Sequence, residues 1–151
     1  MTENHREPAL MGQAAQEILE TMFFATAEGT SEPEPWPAGL MTTELRFEGA
    51  LSGWFSIHVQ EACARTIAGN FAGVMDPDEL NPDTLVGVLC ELANMVCGAT
   101  LSRLEPDAIF NLSSPHLVLE PIPHDYPGGL RQWLRLDQGS IGLQLRLENS
   151  R

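Results

Sequence analysis

The chain has 151 residues, of which 43% are hydrophobic and 19% are charged, a balance typical of one folded, water-soluble domain. Its formal net charge of −13 argues against nucleic acid as a partner, because phosphate contacts need clustered lysines and arginines. All eight basic residues are arginines, which excludes Schiff-base chemistry and a phosphate-binding loop built around lysine.

The N-terminal third of the sequence predicts a helix, a loop and a β-hairpin. Apolar side chains recur at helical spacing over residues 9–28, so this range is the predicted first helix, and residues 1–8 before it are expected to be flexible. The proline-rich stretch 29–39 predicts a loop, because proline fixes φ and lacks a backbone donor. Strand signals at 42–47 and 51–59 flank the residues EGA, which predicts an antiparallel hairpin.

Two helices are predicted in the middle of the sequence. Residues 60–73 predict the second helix, which ends at Gly73, a residue suited to a left-handed cap. Residues 81–104, NPDTLVGVLCELANMVCGATLSRL, predict a third and longer helix. Asn81 is a favourable N-cap, the proline after it suits the first helical position, and Pro106 marks the end.

Strand patterns dominate the C-terminal part of the sequence. Residues 107–120 predict an extended segment interrupted at 113–115, and a final hairpin is predicted at 131–136 and 141–147 around the turn DQGS. This order of elements predicts an α+β fold, with an antiparallel sheet and long helices packed on one of its faces. The segments QEILETMFFATAEG and CELANMVCGATLSR are loosely similar, which indicates a weak internal repeat.

The third helix has two unlike faces at about 100° per residue. The predicted core face comprises Leu85, Leu89, Leu92, Val96 and Ala99, and the opposite face comprises Asp83, Gly87, Glu91, Asn94, Gly98 and Ser102. A glycine in an exposed helix costs about 1 kcal/mol relative to alanine, so two on one face need a reason. Small residues let another backbone approach closely, which makes Gly87, Gly98 and Ser102 the predicted partner-binding residues.

The pair Glu91 and Asn94, spaced as ExxN, is the candidate for chemistry on this face. The motif alone is weak, because 15 Glu and 6 Asn in 151 residues give about 0.6 occurrences by chance. A solvated helix face also commonly carries polar side chains three residues apart. Residue chemistry alone therefore leaves both a functional pair and a solvated face open.

The stretch ELANMVCGATLSRL resembles the CheC/CheX/FliY family of chemotaxis phosphatases and is most similar to the CheX branch. The resemblance covers roughly residues 10–148 and rests on ExxN-M-x-x-G in a long helix, the hairpin and helix before it, and the Ser-Pro in LSSPHLVLEP after it. In that family, the helix Glu and Asn remove the phosphoryl group from the aspartate of the response regulator CheY. The resemblance implies that Glu91 and Asn94 are catalytic and that a phosphorylated CheY-like regulator is the partner.

The resemblance also implies where the metal ion is bound and which half of the chain is active. Mg²⁺ is expected on the partner regulator, and the chain is expected to need no cofactor of its own. Members of the CheC type carry two active motifs, whereas the first helix here offers Glu17 and Glu20 without an asparagine, so the first half is expected to be inactive. Two alternatives stay open: a domain that binds the regulator without hydrolysis, and a switch-assembly subunit of the same fold.

Location, metal binding and assembly complete the predictions. The N-terminus lacks a signal-peptide layout and no apolar run approaches the roughly 18 residues of a membrane span, which predicts a cytoplasmic protein that does not enter a membrane. The four histidines and three cysteines lack metal-ligand spacing, which predicts no metal site and reduced structural thiols. These cysteines are Cys63, Cys90 and Cys97. The alternating segment GLQLRLENS resembles an exposed strand edge and, together with the family resemblance, predicts a homodimer.

Overall fold

A computed structural model describes residues 3–31, 39–119, 129–137 and 139–148, which form one antiparallel sheet with helices packed on it. The helices are α1 (Glu3–Met22), α2 (Glu61–Ala72) and α3 (Pro82–Leu104), and a 3-10 turn at Pro77–Glu79 precedes α3. The strands are β1 (Ala27–Ser31), β2 (Met41–Gly49), β3 (Gly53–Val59), β4 (Phe110–Leu112), β5 (His116–Val118), β6 (Gly129–Leu136) and β7 (Gly139–Leu147).

The sheet has the strand order β1-β6-β7-β3-β2-β4, and β5 also pairs with β2. Its register aligns Leu45, Phe55 and Leu145 across β2, β3 and β7, and all three side chains are fully buried on one face. On that face α3 packs over β2, α1 packs over β6, and the two helices contact each other. The predicted α+β fold, with an antiparallel sheet and long helices on one face, is confirmed.

Predicted elements after residue 40 correspond to observed ones. The predicted hairpins are β2–β3 and β6–β7, and the predicted second helix is α2, capped by Gly73 with a φ of 74°. The interruption expected at 113–115 separates β4 from β5. There the backbone N–H of Arg46 donates to Ser113 Oγ at 2.8 Å, and the N–H of Ser113 donates to the Arg46 carbonyl at 2.8 Å. These two bonds connect β2 to the break in the edge strand.

The first helix differs from its prediction at both ends. It spans Glu3–Met22 rather than 9–28, so the backbone of residues 3–8, expected to be flexible, is helical. The helix stops early because Phe24 takes a φ of 53°, outside the right-handed helical region. Just beyond it, the N–H of Ala25 donates to the carbonyl of Leu19 at 3.0 Å and turns the chain back.

The strand β1 occupies part of the range predicted as helix and loop. Ala27–Ser31 pairs with β6 at the edge of the sheet, so residues 29–31 do not belong to the predicted loop 29–39. Residues 32–38 of that loop lie outside the described residues. The sequence AEGTS has no apolar alternation, and its pairing partner lies about 100 residues later, so local pattern did not reveal this strand.

The C-terminal strand is not a sheet edge. The segment β7 lies between β6 and β3 and pairs with both along its length. The expectation that GLQLRLENS exposes an edge was therefore wrong, and it gives no support to a homodimer. In the described sheet the outermost strands are β1 on one side and the short β4 and β5 on the other.

The helix α3 is long and apolar enough, by length and composition, to cross a membrane, although the sequence-based prediction found no such run. Half of its most apolar 18-residue window is buried inside the fold. Its predicted core residues Leu85, Leu89, Leu92 and Val96 are all buried, and Ala99 is half-buried. Burial of one apolar side against a sheet is the arrangement of a core helix in a water-soluble domain.

The sheet face opposite the helices carries a buried polar group. The His58 side chain is 1% exposed, with Nδ1 3.1 Å from Thr42 Oγ1 and Nε2 2.8 Å from Ser56 Oγ. Burial lowers the pKa of His58 to about 3, so its imidazole is neutral at pH 7. Nearby on the same face, Arg146 donates a hydrogen bond to Glu44.

Candidate functional site

The position of α3 is set at both ends by side chains. At the start, Asn81 Oδ1 accepts a hydrogen bond from the N–H of Thr84 at 2.8 Å, and Pro82 occupies the first turn. At the end, Arg103 lies in the last turn, where its positive charge interacts favourably with the negative end of the helix dipole. The predicted N-cap is thus confirmed, and the 23 residues of α3 present one face outward.

The outward face of α3 carries all of the predicted site residues. Gly87, Glu91 and Ser102 are exposed, whereas Asn94 and Gly98 are half-buried. Glu91 and Asn94 are three residues apart, or about 4.5 Å along the helix axis, so their side chains project into one neighbourhood. The structure therefore brings the predicted residues together on one surface, although Asn94 protrudes less than predicted.

The two glycines on this face have no packing role within the described chain. A Cβ added to Gly87 or Gly98 meets no described atom within 4 Å. Gly53 shows the contrast, because a Cβ there would lie 2.1 Å from the carbonyl oxygen of Arg146. Gly53 is required by the close approach of two strands, and the glycines of α3 are not required by any contact that the described residues make.

Glu91 and Asn94 are not engaged elsewhere in the described part of the chain. Neither side chain takes part in a hydrogen bond or ion pair with another described residue. A carboxylate offers acceptors for a cation or a donor, and an amide both donates and accepts without titrating. The pair can therefore bind polar groups of a partner protein and orient a water molecule at the helix surface.

The corresponding carboxylates of α1 serve the fold instead. Glu17 Oε1 lies 3.0 Å from Arg103 Nη2 and joins α1 to the last turn of α3. Glu20 Oε2 accepts a hydrogen bond from the N–H of Ala27 at 3.3 Å, where β1 begins. These two residues occupy the places in the weak repeat that match Glu91 and Asn94, and both are used in contacts within the chain.

The margins of the outward face include residues that the motif did not single out. Thr84 is exposed near the start of α3, and Cys90 and Met95 are half-buried on either side of the Glu91–Asn94 pair. Their helical spacing could have predicted this location, but none of these three residue types by itself indicates a function. Burial raises the pKa of the Cys90 thiol, so this group is a neutral neighbour rather than a thiolate nucleophile.

The other two thiols lie in the core. Burial raises the pKa of Cys63 to about 11 and that of Cys97 to about 12, and both thiols are free. In the ranges that the structure describes, no group of three or more His, Cys, Asp or Glu side chains could hold a metal ion. The chemistry that α3 itself offers is therefore that of a carboxylate and an amide.

Comparison with known proteins places this helix in a defined family context. The family model described as "Chemotaxis phosphatase CheX" matches residues 41–121, a range that runs from β2 to just beyond β5 and contains all of α3. No curated protein sequence matches the chain significantly.

Solved structures share the fold. The chain is similar to a CheX chemotaxis protein from Desulfovibrio desulfuricans, with 16% identity over 95% of this chain and 99% of that one and a TM-score of 0.75. A CheX from Vibrio vulnificus has 23% identity over 93% and 95% of the two chains, with a TM-score of 0.75. The CheX chain of a CheX–CheY–BeF₃–Mg²⁺ complex from Borrelia burgdorferi has 17% identity over 93% and 97%, also with a TM-score of 0.75. At these identities the likeness shows the fold.

Proposed function

Because the chain belongs to the CheX family of chemotaxis phosphatases, we propose that it hydrolyses the aspartyl phosphate of a CheY-like response regulator. The observation that supports this most is the open face of α3, where Glu91 and Asn94 lie side by side, free of partners among the described residues. A structurally similar CheX was solved in complex with CheY, BeF₃ and Mg²⁺, which supports a regulator of this kind as the partner.

Asn94 is proposed to orient the attacking water. Hydrolysis of an acyl phosphate needs a water in line with the bond from phosphorus to the aspartate oxygen. The water oxygen bonds to phosphorus, the aspartate carboxylate leaves, and inorganic phosphate is released. An amide can accept a hydrogen bond from the water and donate another to the phosphoryl oxygens, as a glutamine does in GTPases. Asn94 has this chemistry and is not committed to another described residue.

Glu91 is proposed to dock the helix on the regulator. An exposed carboxylate can form a charge-assisted hydrogen bond to a cationic side chain of the partner. Such a bond would fix Asn94, one turn further along α3, at the phosphorylation site. The Mg²⁺ that neutralises the phosphoryl oxygens is expected on the regulator.

Gly87, Gly98 and Ser102 are proposed to contact the regulator beside this pair. The two glycines are 11 residues apart, or about 16 Å along the helix, and they flank the Glu91–Asn94 pair. With no Cβ at either position, a partner backbone can approach the helix more closely than it could at alanine. This gives the open space above both glycines a use.

Assays of phosphoryl loss, run with the chain in excess and then in substoichiometric amounts, test the proposal. A purified receiver domain, phosphorylated on its aspartate in the presence of Mg²⁺, is mixed with the chain, and phosphoryl loss is followed over time. We expect the chain to accelerate the loss and to act on many receivers in turn when present in substoichiometric amounts. Binding without acceleration would favour the alternative of a regulator-binding module, and neither binding nor acceleration would favour a switch-assembly subunit.

A cytoplasmic homodimer is the proposed state of the protein. Response regulators act in the cytoplasm, so their phosphatase must work there. The family resemblance is the basis for the dimer, because β7 is not the exposed edge that the sequence indicated.

A further inference from the structure

Three large apolar side chains are exposed where α1 and α2 end. Phe24 is 70% exposed, Met22 is 45% exposed and Phe71 is 37% exposed. They lie around the buried ring of Phe23, because Met22 and Phe24 flank this residue in the chain and the Phe71 ring stacks on it with centroids 4.6 Å apart. We refer to Met22, Phe24 and Phe71 as the apolar patch.

The most exposed member of the apolar patch has a strained backbone. Phe24 has a φ of 53° and is the only non-glycine residue with positive φ in the part of the chain that the structure describes. The left-handed region is unfavourable for a bulky side chain. Burial of the Phe24 ring within the chain does not offset this strain, since most of the ring is in solvent. Strained residues cluster at binding sites, so the conformation indicates a contact made with another molecule.

The sequence around the apolar patch carries no charge. Residues 21–27 and 66–75 contain no charged side chain, in a chain in which 19% of the residues are charged. Glu20, which precedes the first of these stretches, accepts a hydrogen bond from the N–H of Ala27 at 3.3 Å. Depletion of charged residues with enrichment in phenylalanine and methionine is the composition of the core of a protein–protein interface.

The charge of the chain favours this patch as the place where two copies meet. Each copy has a formal charge of −13, so two copies repel each other over most of their surfaces. An uncharged patch lets them associate without bringing carboxylates together. In a twofold dimer the same patch lies on both sides, so that Phe24 of one copy can pack on Phe71 of the other, and the reverse.

The size of the apolar patch is sufficient for the core of such an interface. At about 200 Å² for a large side chain, the exposed parts of its three members amount to about 300 Å² in one copy. A twofold dimer buries this area from both copies, or about 600 Å². This is close to the apolar share of an interface of about 1,200 Å², the lower end for a stable complex.

Resting on the homodimer proposed above, we infer that two copies of this chain associate through the apolar patch, with the ends of α1 and α2 of one copy against those of the other. The strain at Phe24 then has a use, because it turns the ring outward to the second copy. The apolar patch contains none of the α3 residues that are proposed to bind the regulator. The dimer therefore does not use those residues.

Matched substitutions test this interface. Phe24→Asn with Met22→Gln replaces two exposed apolar side chains by polar ones, and asparagine tolerates a left-handed backbone. The control, Ile109→Asn with Leu119→Gln, replaces two side chains that are 85% and 89% exposed but lie beside β4 and β5. Analytical ultracentrifugation without any regulator, between about 0.1 and 100 μM chain, gives the dissociation constant of the dimer.

We expect the wild-type chain to dimerise and the patch variant to have a dimer dissociation constant about tenfold or more higher, because it loses buried anchors. The control pair should change this constant by less than about threefold. A second variant, Phe24→Gly, relieves the strain, so it should fold at least as stably as a monomer and still dimerise more weakly. A dimer of unchanged affinity in both patch variants, or equal effects of the patch and control pairs, would overturn the inference.

The same measurements separate this inference from the other proposals. A wild-type chain that is monomeric throughout would overturn both the homodimer and its interface. If the patch variant dimerises normally but binds a beryllofluoride-activated receiver more weakly, the apolar patch contacts the regulator and the inference is wrong. Because dimerisation is measured without a regulator, failure of the phosphatase proposal would leave this result unchanged.

Discussion

Asn94 is proposed to act on the water, so its loss should appear in the rate and not in binding. Interactions made only in the transition state change the catalytic rate with little effect on ground-state affinity. At a saturating concentration of the chain, we expect Asn94→Ala to slow single-turnover phosphoryl loss by about 10²-fold, which corresponds to an activation free energy higher by roughly 2.7 kcal/mol. Asn70→Ala on α2 is the matched control, because it truncates an amide away from the outward face of α3. Unchanged hydrolysis by Asn94→Ala would rule out its catalytic role.

Glu91 is proposed to bind the regulator, so its substitution should lower the binding affinity as well as the rate. Glu91→Ala removes a charge-assisted contact of about 1.5–3 kcal/mol, so we expect affinity for a beryllofluoride-activated receiver to fall by about tenfold or more, with a lower rate as well. Titration calorimetry measures the affinity. Because Glu91 is exposed, the melting temperature should change little. A large fall in melting temperature, with affinity unchanged, would instead identify a structural carboxylate.

The sequence could predict where Glu91 and Asn94 lie on the helix, but it could not predict whether they have partners within the fold. The helical period is local, so the sequence correctly separated the buried Leu85, Leu89, Leu92 and Val96 from the outward face. The ExxN spacing alone could not separate a functional pair from a solvated face. The structure adds that Glu91 and Asn94 lack partners among the described residues, whereas Glu17 and Glu20 of α1 have them.

Alanine in place of a glycine of α3 should raise the stability of the free chain and lower its affinity for the regulator. A Cβ at Gly87 or Gly98 meets open space, so alanine at either position should stabilise the free chain by about 1 kcal/mol. The same methyl group should hold the regulator away and weaken its binding. We therefore expect a higher denaturation midpoint together with a lower affinity, measured by urea titration and calorimetry.

Asn70→Ala serves as the control for this pair of variants, since it also replaces a poorer helix former with alanine on α2. It should raise the midpoint and leave affinity unchanged. Retention of full affinity by both Gly87→Ala and Gly98→Ala would show that no partner backbone comes close to α3 at these points.

The elements that sequence pattern failed to predict are those fixed by distant pairing. The strand β1 has no apolar alternation and is held by β6, about 100 residues away. The place of β7 between β6 and β3 likewise depends on the strand order of the whole sheet. By contrast, α3 and the β2–β3 hairpin carry their own caps and turns, and their existence could be predicted from neighbouring residues.

The oligomeric state of the chain can be measured directly. We predict a homodimer on the basis of the family, and light scattering at micromolar concentration should give twice the chain mass of 16.5 kDa. Analytical ultracentrifugation across a concentration series would show whether the dimer dissociates. A single monomeric species throughout would contradict the prediction, and the phosphatase proposal would stand or fall separately.

The stability of the whole fold should depend on pH through His58. Its imidazole is buried and neutral, with a pKa lowered by burial from 6.5 to about 3, so the unfolded chain binds a proton that the folded chain does not. As far as His58 is concerned, the fold is therefore most stable above about pH 6.5, and it loses stability as pH falls from 6.5 toward 3. We expect the free energy of unfolding from urea titrations to fall by about 2 kcal/mol between pH 7 and pH 5 on account of this residue. His58→Gln, which keeps a polar side chain between Thr42 and Ser56 but cannot titrate, should lower stability at pH 7 and flatten this dependence. An equally steep fall in His58→Gln would assign the acid sensitivity to the carboxylates instead.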